Sequence, residues 1–336
     1  MDIVTQGLLG GVLGQSVANA EEKKHATVIG FFAGLVADAD VFIASSADPL
    51  LHIEYHRHFT HSLFFIPFGA AIAMVLLRPF FRRQLATGRL YLFCLAGYSL
   101  SGMLDACTSY GTHLFWPLTD ARVSFDIIAI VDPIFSLILL TAMLAGLRQT
   151  QVPFARIGLI ACLGYLGLAS IQHYRAGVLL ENVMQQRGHQ ATRQTVKPTL
   201  GNILLWRTIY ISDEVMYVDA VRVPLFGDNT VFNGRSVSVL NPARDLPTLP
   251  KDSILYRDIL RFQHFSDGYM GFDPSQKHVI GDIRYSMVPD SVHPLWGIVI
   301  DPRHPKRHAD YRFFRSNTRQ NRQRFLNLLL NRPVAQ

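Results

Sequence analysis

The chain is poor in charge and in cysteine, and it lacks the features of a secretory leader. Charged residues make up 17% of its 336 residues and hydrophobic residues 49%, whereas a typical soluble protein is ~25% charged. This deficit favours a membrane protein. The three cysteines match no zinc-binding or redox spacing, so we expect them to pack in the interior. Since no basic segment precedes the first apolar stretch, we expect no cleavable signal peptide.

The chain also lacks residues that are typical of nucleic-acid-binding proteins and of ion-coupled transporters. The net charge is +7, but the basic residues cluster in short loops, without the interleaved aromatic residues of a nucleic-acid reader. Nucleic acid is therefore not expected as a partner. No ionisable residues line the inner halves of the apolar runs, so a transporter with an ion or proton relay ranks lowest among the alternatives.

What the chain does contain falls into two parts. Long apolar runs extend to about residue 174, and an ordinary mixture of residues follows from about residue 181. Strand-like alternation occurs there in NILLWRTIYIS, EVMYVDAVRVPL, HVIGDIRYSMV and LWGIVID, before a helical NRQRFLNLLLN. We predict a mainly α protein, with a polytopic helical membrane domain over 1–175 and a smaller α+β domain over 176–336, in which a small sheet is closed by the last helix.

Six apolar runs are candidate membrane spans of the ~20 residues that a helix needs. The loop between the third and fourth runs holds Arg78, Arg82, Arg83 and Arg89 without an acidic residue, and the loop after the fifth adds two arginines. By the positive-inside rule these loops are cytoplasmic. The segment after the sixth run is then outside. The runs are 3–20, 26–44, 61–78, 90–107, 127–147 and 156–173.

Ionisable residues gather at the ends of these runs that the topology places outside. Asp38 and Asp40 end the second run, the histidine-rich segment HRHFTHS (56–62) precedes the third, and Asp105 ends the fourth. Since a lone ionisable group costs several kcal/mol within a membrane, such a cluster is a candidate functional site. The candidate metal ligands are Asp38, Asp40, His56, His61, Asp105, Asp126 and Asp132.

Carboxylates with imidazoles form the ligand sets of hydrolytic metal sites. We predict a divalent cation and favour zinc, with manganese or magnesium as alternatives. The catalytic candidates are Arg57, which would meet an anionic substrate, and His58, as an extra ligand or a general acid/base. The alternative is a solvated histidine loop with aspartates that only cap helix ends, above all Asp126 and Asp132.

Several stretches together resemble one family. DIVTQGLLGGVLGQ, GLVADADVF, HRHFTHSL, LDACTSYGTHLFWPL and DIIAIVDPIFSL occur in the order typical of the YdjM-like family of inner-membrane-associated, metal-dependent hydrolases, also described as LexA-binding. The resemblance covers about residues 2–147 and implies the same metal ligands and a phosphoester substrate. The chain departs from it at Ser101, where many relatives have histidine, and at His58, where many have glycine.

Together these patterns predict a multi-pass protein of the bacterial inner membrane, with the site and the C-terminal domain on the outer face. We expect it to hydrolyse a phosphoester or related bond of a lipid or envelope metabolite, so that its partners are the lipid bilayer and an anionic small-molecule or lipid substrate. The alternative is a non-catalytic, metal-stabilised membrane scaffold that binds a protein partner through its C-terminal domain. A LexA partner would need a cytoplasmic surface, which conflicts with this orientation.

Overall fold

A computed structural model describes residues 1–45, 47–149, 153–316 and 318–333. The chain divides into two compact units. The first comprises Met1–Ile43, Tyr55–Ile171 and Leu200–Asn202, and the second comprises Ala44–Glu54, Gln172–Thr199 and the chain from Ile203 onward. The division at residues 175 and 176 that the sequence suggests stays a prediction.

Helices dominate the N-terminal half of the chain. Asp2 and Asp132 each start a helix by accepting hydrogen bonds from two backbone N–H groups, and proline follows Asp132 at the first helical position. The α-helices are α1 (Ile3–Ser16), α2 (Lys23–Val36), α3 (Leu51–Tyr55), α4 (Ile66–Phe81), α5 (Thr87–Ser99), α6 (Ser101–Ala106), α7 (Pro133–Arg148) and α8 (Phe154–Arg187). Short 3-10 helices span Ala37–Phe42, Phe59–His61 and Leu63–Phe65.

Glycines let three of these helices touch through their backbones. A Cβ atom added to Gly30 of α2 would lie 2.2 Å from the carbonyl oxygen of Gly10 in α1. One added to Gly97 of α5 would lie 2.4 Å from the carbonyl oxygen of Gly30. Small residues at such crossings permit close helix packing in lipid, where burial of apolar surface gives no drive for association. The apolar core of this unit, which includes Ile29, Phe93 and Tyr98, packs around α2 and α5.

The helices place basic and acidic residues at opposite ends of the first unit. The Arg89 side chain at the start of α5 pairs with Glu22 at the start of α2, and Arg156 donates to the carbonyl of Ser16 at the end of α1. At the other end, the start of α1 meets the end of α2 and the short helix α6. The residues of the predicted site lie at this second end.

Three helical segments are long and apolar enough to cross a membrane: Lys23–Phe42, Leu63–Phe81 and Phe154–Arg187. They correspond to the second, third and sixth predicted runs. The first, fourth and fifth runs form shorter helices, because α1 has 14 residues, α5 breaks at Leu100 and α7 has 16 residues. A membrane crossing by all six therefore remains a proposal.

The second unit contains two antiparallel sheets. The first sheet has the order β1 (Arg193–Pro198), β2 (Leu205–Ser212), β3 (Val215–Arg222), β4 (Thr230–Phe232), with β5 (Ser236–Ser238) also pairing with β3. The second has the order β6 (Met270–Asp273), β7 (Gln276–Asp282), β8 (Trp296–Val299), β9 (Asp310–Phe313). Helices α9 (Pro242–Asp245), α10 (Ile254–Phe265) and α11 (Arg319–Leu329) complete the unit.

The predicted fold class is confirmed: a helical membrane part is joined to a smaller α+β part. The four predicted strand segments overlap β2, β3, β7 and β8, and α11 overlaps the predicted last helix. The single small sheet was wrong, because β1 to β5 and β6 to β9 form two separate sheets.

Candidate functional site

The end of α2 brings two carboxylates to one place. On a regular α-helix, Asp38 and Asp40 would face opposite sides, but the α-helix stops at Val36 and continues as a 3-10 helix over Ala37–Phe42. The tighter turn lets both side chains reach His61: its Nε2 lies 3.4 Å from Asp38 Oδ1 and its Nδ1 3.3 Å from Asp40 Oδ2. The Asp40 side chain is fully buried, whereas 14% of the Asp38 side chain is exposed.

The histidine-rich segment folds back across this point. Arg57 has a φ of 58°, a conformation that is uncommon outside glycine, and the chain then turns through the 3-10 helix Phe59–His61. Helix α6 packs directly against this turn, since a Cβ atom on Gly102 would lie 2.0 Å from the carbonyl oxygen of His61. The close approach positions Asp105, one helical turn later, beside the His61 ring.

Asp38, His61 and Asp105 form a group that could hold a metal ion, with one donor atom of each residue within 4.8 Å of the others. His61 Nε2 lies 2.9 Å from Asp105 Oδ2, and both side chains are fully buried. Although they are so close, neither atom has a hydrogen-bond partner of acceptable geometry among the described residues. Two buried polar atoms that face each other without such a partner suit a cation between them.

Asp40 holds the imidazole rather than facing the same point. Its Oδ2 accepts hydrogen bonds from the Arg57 backbone N–H (2.7 Å) and from the Thr60 hydroxyl (2.8 Å). Its Oδ1 lies 3.1 Å from His56 Nδ1. His61 Nδ1 lies 3.0 Å from the Thr60 hydroxyl oxygen, and this hydroxyl in turn donates to Asp40. A proton on Nδ1 would leave the Nε2 lone pair directed at Asp38 and Asp105, as in carboxylate–histidine–metal arrangements.

Two cations contact the other oxygen of Asp105. The Met1 amine pairs with Asp105 Oδ1, and the Arg57 guanidinium lies 3.4 Å from the same atom. Arg57 also donates to the Thr108 hydroxyl at 3.0 Å and is only 3% exposed. Three carboxylates therefore face two cations, which leaves at least one negative charge uncompensated when the histidines are neutral.

His56 lies on the more open side of the cluster, where 23% of its side chain is exposed. Burial lowers the pKa of His56, and the neighbouring Arg57 charge acts in the same direction, whereas its bond to Asp40 opposes both. The imidazole is therefore neutral near pH 7 and can accept or share a proton. Asp38 and His56 are the two cluster members that a molecule arriving from outside would meet first.

Asp126 and Asp132 lie outside the group formed by Asp38, His61 and Asp105. Asp126 Oδ1 accepts a hydrogen bond from the Ser124 hydroxyl at 2.6 Å. Asp132 caps α7 through its Oδ1, which accepts from two backbone N–H groups at 3.1 Å, and its Oδ2 accepts from the Tyr165 hydroxyl at 2.8 Å. Their assignment as metal ligands stays a prediction.

His58 also lies apart from that group, although it is only three residues before His61. It belongs to a second candidate group with His113 and Asp120. His113 is not among the predicted site residues, since the aromatic residues around it are typical of a membrane-interface anchor. The two histidines are 55 positions apart, which conceals their contact, and only a covarying pair could have signalled it.

A third group, Asp48, Asp258 and His308, is engaged in ion pairs within the second unit. Both oxygens of Asp48 accept from Arg261, at 3.0 and 2.9 Å. Asp258 accepts from the Ala309 backbone N–H and lies 2.9 Å from His308 Nδ1. The donor atoms already have partners, so this group is a salt-bridge network.

Comparison with known proteins gives one match. The family described as YdjM inner membrane protein matches residues 1–176, which is more than half of the chain. No curated protein and no solved structure matches the chain. The matched range contains the Asp38–His61–Asp105 group, the helical segments Lys23–Phe42 and Leu63–Phe81, and the first 23 of the 34 residues of Phe154–Arg187. The chain therefore belongs to the YdjM inner membrane protein family.

Proposed function

We propose that this protein is a metal-dependent hydrolase of the inner membrane, with a divalent ion held by Asp38, His61 and Asp105. The observation that carries the proposal is the 2.9 Å approach of His61 Nε2 to Asp105 Oδ2, since these buried atoms have no hydrogen-bond partner among the described residues. An unsatisfied buried polar atom costs about 1–3 kcal/mol. A metal ion would satisfy both atoms at once.

We favour zinc as the ion. Zinc binds both imidazole nitrogen and carboxylate oxygen, and a catalytic zinc ion keeps a further coordination position for water or substrate. Manganese is the alternative, because it tolerates more oxygen donors. The uncompensated negative charge of the cluster favours any divalent cation over an empty site. When bound, the ion supplies a Lewis acid that lowers the pKa of a coordinated water to ~7.

The surrounding residues would orient the site and admit the substrate. Asp40 and Thr60 fix the ring of His61, and Arg57 holds Asp105 from the opposite side, so we propose all three as positioning residues. His56 lies on the open side and is the better placed imidazole for proton transfer. The metal-ligand roles of Asp126 and Asp132 are not part of this proposal.

The orientation of the site follows from the charges at the ends of the first unit. Arg89 and Arg156 mark the basic end, where Glu22 pairs with Arg89 and to which the loop with Arg82 and Arg83 also belongs. By the positive-inside rule this end faces the cytoplasm. We therefore place the cluster, and with six crossings the C-terminal part, on the outer face. A phosphoester in a lipid headgroup or an envelope metabolite is the substrate class that this location and the family resemblance support.

Hydrolysis can be tested on the detergent-purified full chain loaded with zinc or manganese. We expect turnover of bis(p-nitrophenyl) phosphate or p-nitrophenyl phosphate, and a loss of about 100-fold or more in Asp38→Asn, because removal of a ligand exceeds the effect of outer partners. Asp126→Asn is the matched control, since it changes a half-buried aspartate outside the cluster, and it should retain the parent rate. Equal rates in the parent and Asp38→Asn would contradict the proposal.

The second candidate function is a metal-stabilised scaffold, and the burial of the cluster favours it. His61 and Asp105 have fully buried side chains, and Arg57 and Met1 already offset part of the carboxylate charge. A scaffold predicts that the metal is bound and raises the melting temperature, while no phosphoester is hydrolysed. Metal content and turnover, measured on the same preparation, distinguish the two functions.

A further inference from the structure

Two histidines that are distant in sequence stack on each other in the first unit. The ring centroids of His58 and His113 are 4.4 Å apart, with an angle of 42° between the ring planes. The Nδ1 atoms of both rings are buried and have no hydrogen-bond partner among the described residues. His113 is only 7% exposed. Two such buried atoms in one ring pair are costly unless a ligand satisfies them.

Asp120 adds a carboxylate to this pair. One donor atom from each of His58, His113 and Asp120 lies within 4.8 Å of the others. His113 is buried, His58 is half-buried and Asp120 is exposed. The group is thus open to water on the Asp120 side and closed on the His113 side.

The backbone around the group holds the two histidines in place. The His113 backbone N–H donates to the Arg57 carbonyl at 3.1 Å, and the Thr112 hydroxyl donates to the same oxygen at 3.1 Å. Thr112 also forms a β-bridge with Val123, which follows Asp120 by three residues. Trp116 lies 5.8 Å from the His58 ring and shields one side of the group. The backbone at His113 is therefore held against the segment that carries His58.

The electrostatic surroundings keep both rings neutral. Burial lowers the pKa of His113 to about 4, and burial also lowers the pKa of His58. The guanidinium of Arg122, which lies 4.7 Å from the Tyr110 ring centroid, acts in the same direction on both histidines. Neutral imidazoles have a lone pair for a metal, and the Asp120 carboxylate offsets the repulsion between Arg122 and a cation.

We propose that His58, His113 and Asp120 form a second divalent-metal site, which shares no ligand with the Asp38–His61–Asp105 group. Two imidazoles and one carboxylate are a donor set suited to zinc, with the fourth position open to water through the exposed side. The bound ion would tie the loop over residues 111–123 to the segment that carries Arg57 and His61. It would thus stabilise the wall of the first cluster without taking part in it.

The test is the zinc content of the full chain in detergent, measured by elemental analysis after dialysis against buffered zinc. His113→Phe and His58→Phe keep an aromatic ring in the stack but remove a ligand, and each should bind about one zinc ion fewer per chain than the parent. His61→Gln is the reciprocal variant. It should lose the ion of the Asp38–His61–Asp105 group and keep the ion of the His58–His113–Asp120 group. The two proposed sites are thereby tested separately.

Asp120→Asn tests the site even if the histidine variants fail to fold, because an exposed side chain can be replaced with little effect on folding. Even outer partners of metal ligands change affinity about 10–100-fold, so loss of this carboxylate should weaken the second zinc site by at least about tenfold. Cobalt replacement gives an independent readout through the visible absorption of the bound ion. Unchanged zinc content in His113→Phe, or unchanged zinc affinity in Asp120→Asn, would overturn the proposal and leave the histidine pair as aromatic packing only.

Discussion

At the scale of single residues, neighbouring aspartates have different surroundings. Asp40 is buried and accepts from the Arg57 backbone and Thr60 while it faces the two imidazoles of His56 and His61. Asp38 is partly exposed and lies 3.4 Å from His61 Nε2. Asp40 thus orients an imidazole, whereas Asp38, two residues earlier, is placed as a candidate ligand. Both side chains reach His61 because they lie in the 3-10 helix Ala37–Phe42.

Asp132 provides a prediction about a buried carboxylate outside the proposed ligand set. Asp132→Ala removes the cap of α7 and leaves the Tyr165 hydroxyl without its acceptor, which should cost about 2 kcal/mol of stability. Tyr165→Phe removes only the second interaction and should cost about 1 kcal/mol. Thermal unfolding in detergent measures both. Metal content should equal that of the parent, and a loss of metal in Asp132→Ala would return Asp132 to the ligand set.

Much of the first cluster could be predicted residue by residue, but not the division of roles within it. Asp38, His61 and Asp105 follow from the observation that apolar runs end in ionisable residues at one membrane face. The burial of Arg57 could not be foreseen, since it depends on the turn at φ 58° and on contacts with Asp105 and Thr108. His58 could not be separated from His61 without the fold, because the 3-10 turn between them directs their rings to different places.

At the scale of elements, backbone contact between α1, α2 and α5 determines how closely the helices approach. Gly10, Gly30 and Gly97 meet at this crossing. The end of α2 and the start of α1 are therefore held at a fixed distance, and α5 leads directly into α6 with Asp105. Helix packing at the glycines thus controls the spacing of ligands that lie beyond the helix ends.

Gly30→Ala should disturb this packing, because its Cβ atom would lie 2.2 Å from the Gly10 carbonyl oxygen. Overpacking of this kind typically costs about 1–3 kcal/mol, and we expect a lower melting temperature in detergent. The matched control is Gly88→Ala in α5, where a new Cβ atom meets nothing within 4 Å. It should leave stability unchanged or raise it by up to about 1 kcal/mol, since alanine favours helix. Equal melting temperatures for the two variants would contradict the account of the crossing.

The elements themselves were predictable where hydrophobic period and length agree. The strand segments with period-two alternation became β2, β3, β7 and β8, whereas their division between two sheets depends on long-range pairing that alternation does not encode. The six apolar runs overlap α1, α2, α4, α5, α7 and α8 but miss α3, and apolar length could not show that α5 ends at Ser99 and restarts at Ser101. Such a break depends on packing of α6 against the His61 turn.

At the scale of the whole molecule, charge is sorted between the two ends of the first unit. The loop over residues 82–89 contains three arginines and no acidic residue, whereas three carboxylates of the cluster lie at the opposite end. This sorting is the basis of the proposed orientation. In this proposed orientation, the more open side of the cluster, at Asp38 and His56, faces outward.

Reporter insertions test this orientation. A fluorescent protein inserted between Arg83 and Ala86 should fluoresce, because that loop is proposed to lie in the cytoplasm. Alkaline phosphatase fused at the C-terminus should be active, since this enzyme folds only outside the cytoplasm. The controls exchange the two reporters, with alkaline phosphatase between Arg83 and Ala86 and the fluorescent protein at the C-terminus. An inactive phosphatase at the C-terminus together with a fluorescent C-terminal fusion would place the C-terminal part in the cytoplasm and contradict the six-crossing topology.

The central claim is that Asp38, His61 and Asp105 hold a divalent ion, and elemental analysis tests it most directly. The parent is compared with an Asp38→Asn, His61→Gln double variant and with Asp132→Asn, a buried carboxylate changed outside the cluster, each shown to be folded. We predict about one metal ion fewer per chain in the double variant than in the other two proteins. Equal metal content in all three, even after reconstitution with zinc, manganese or magnesium, would contradict the account.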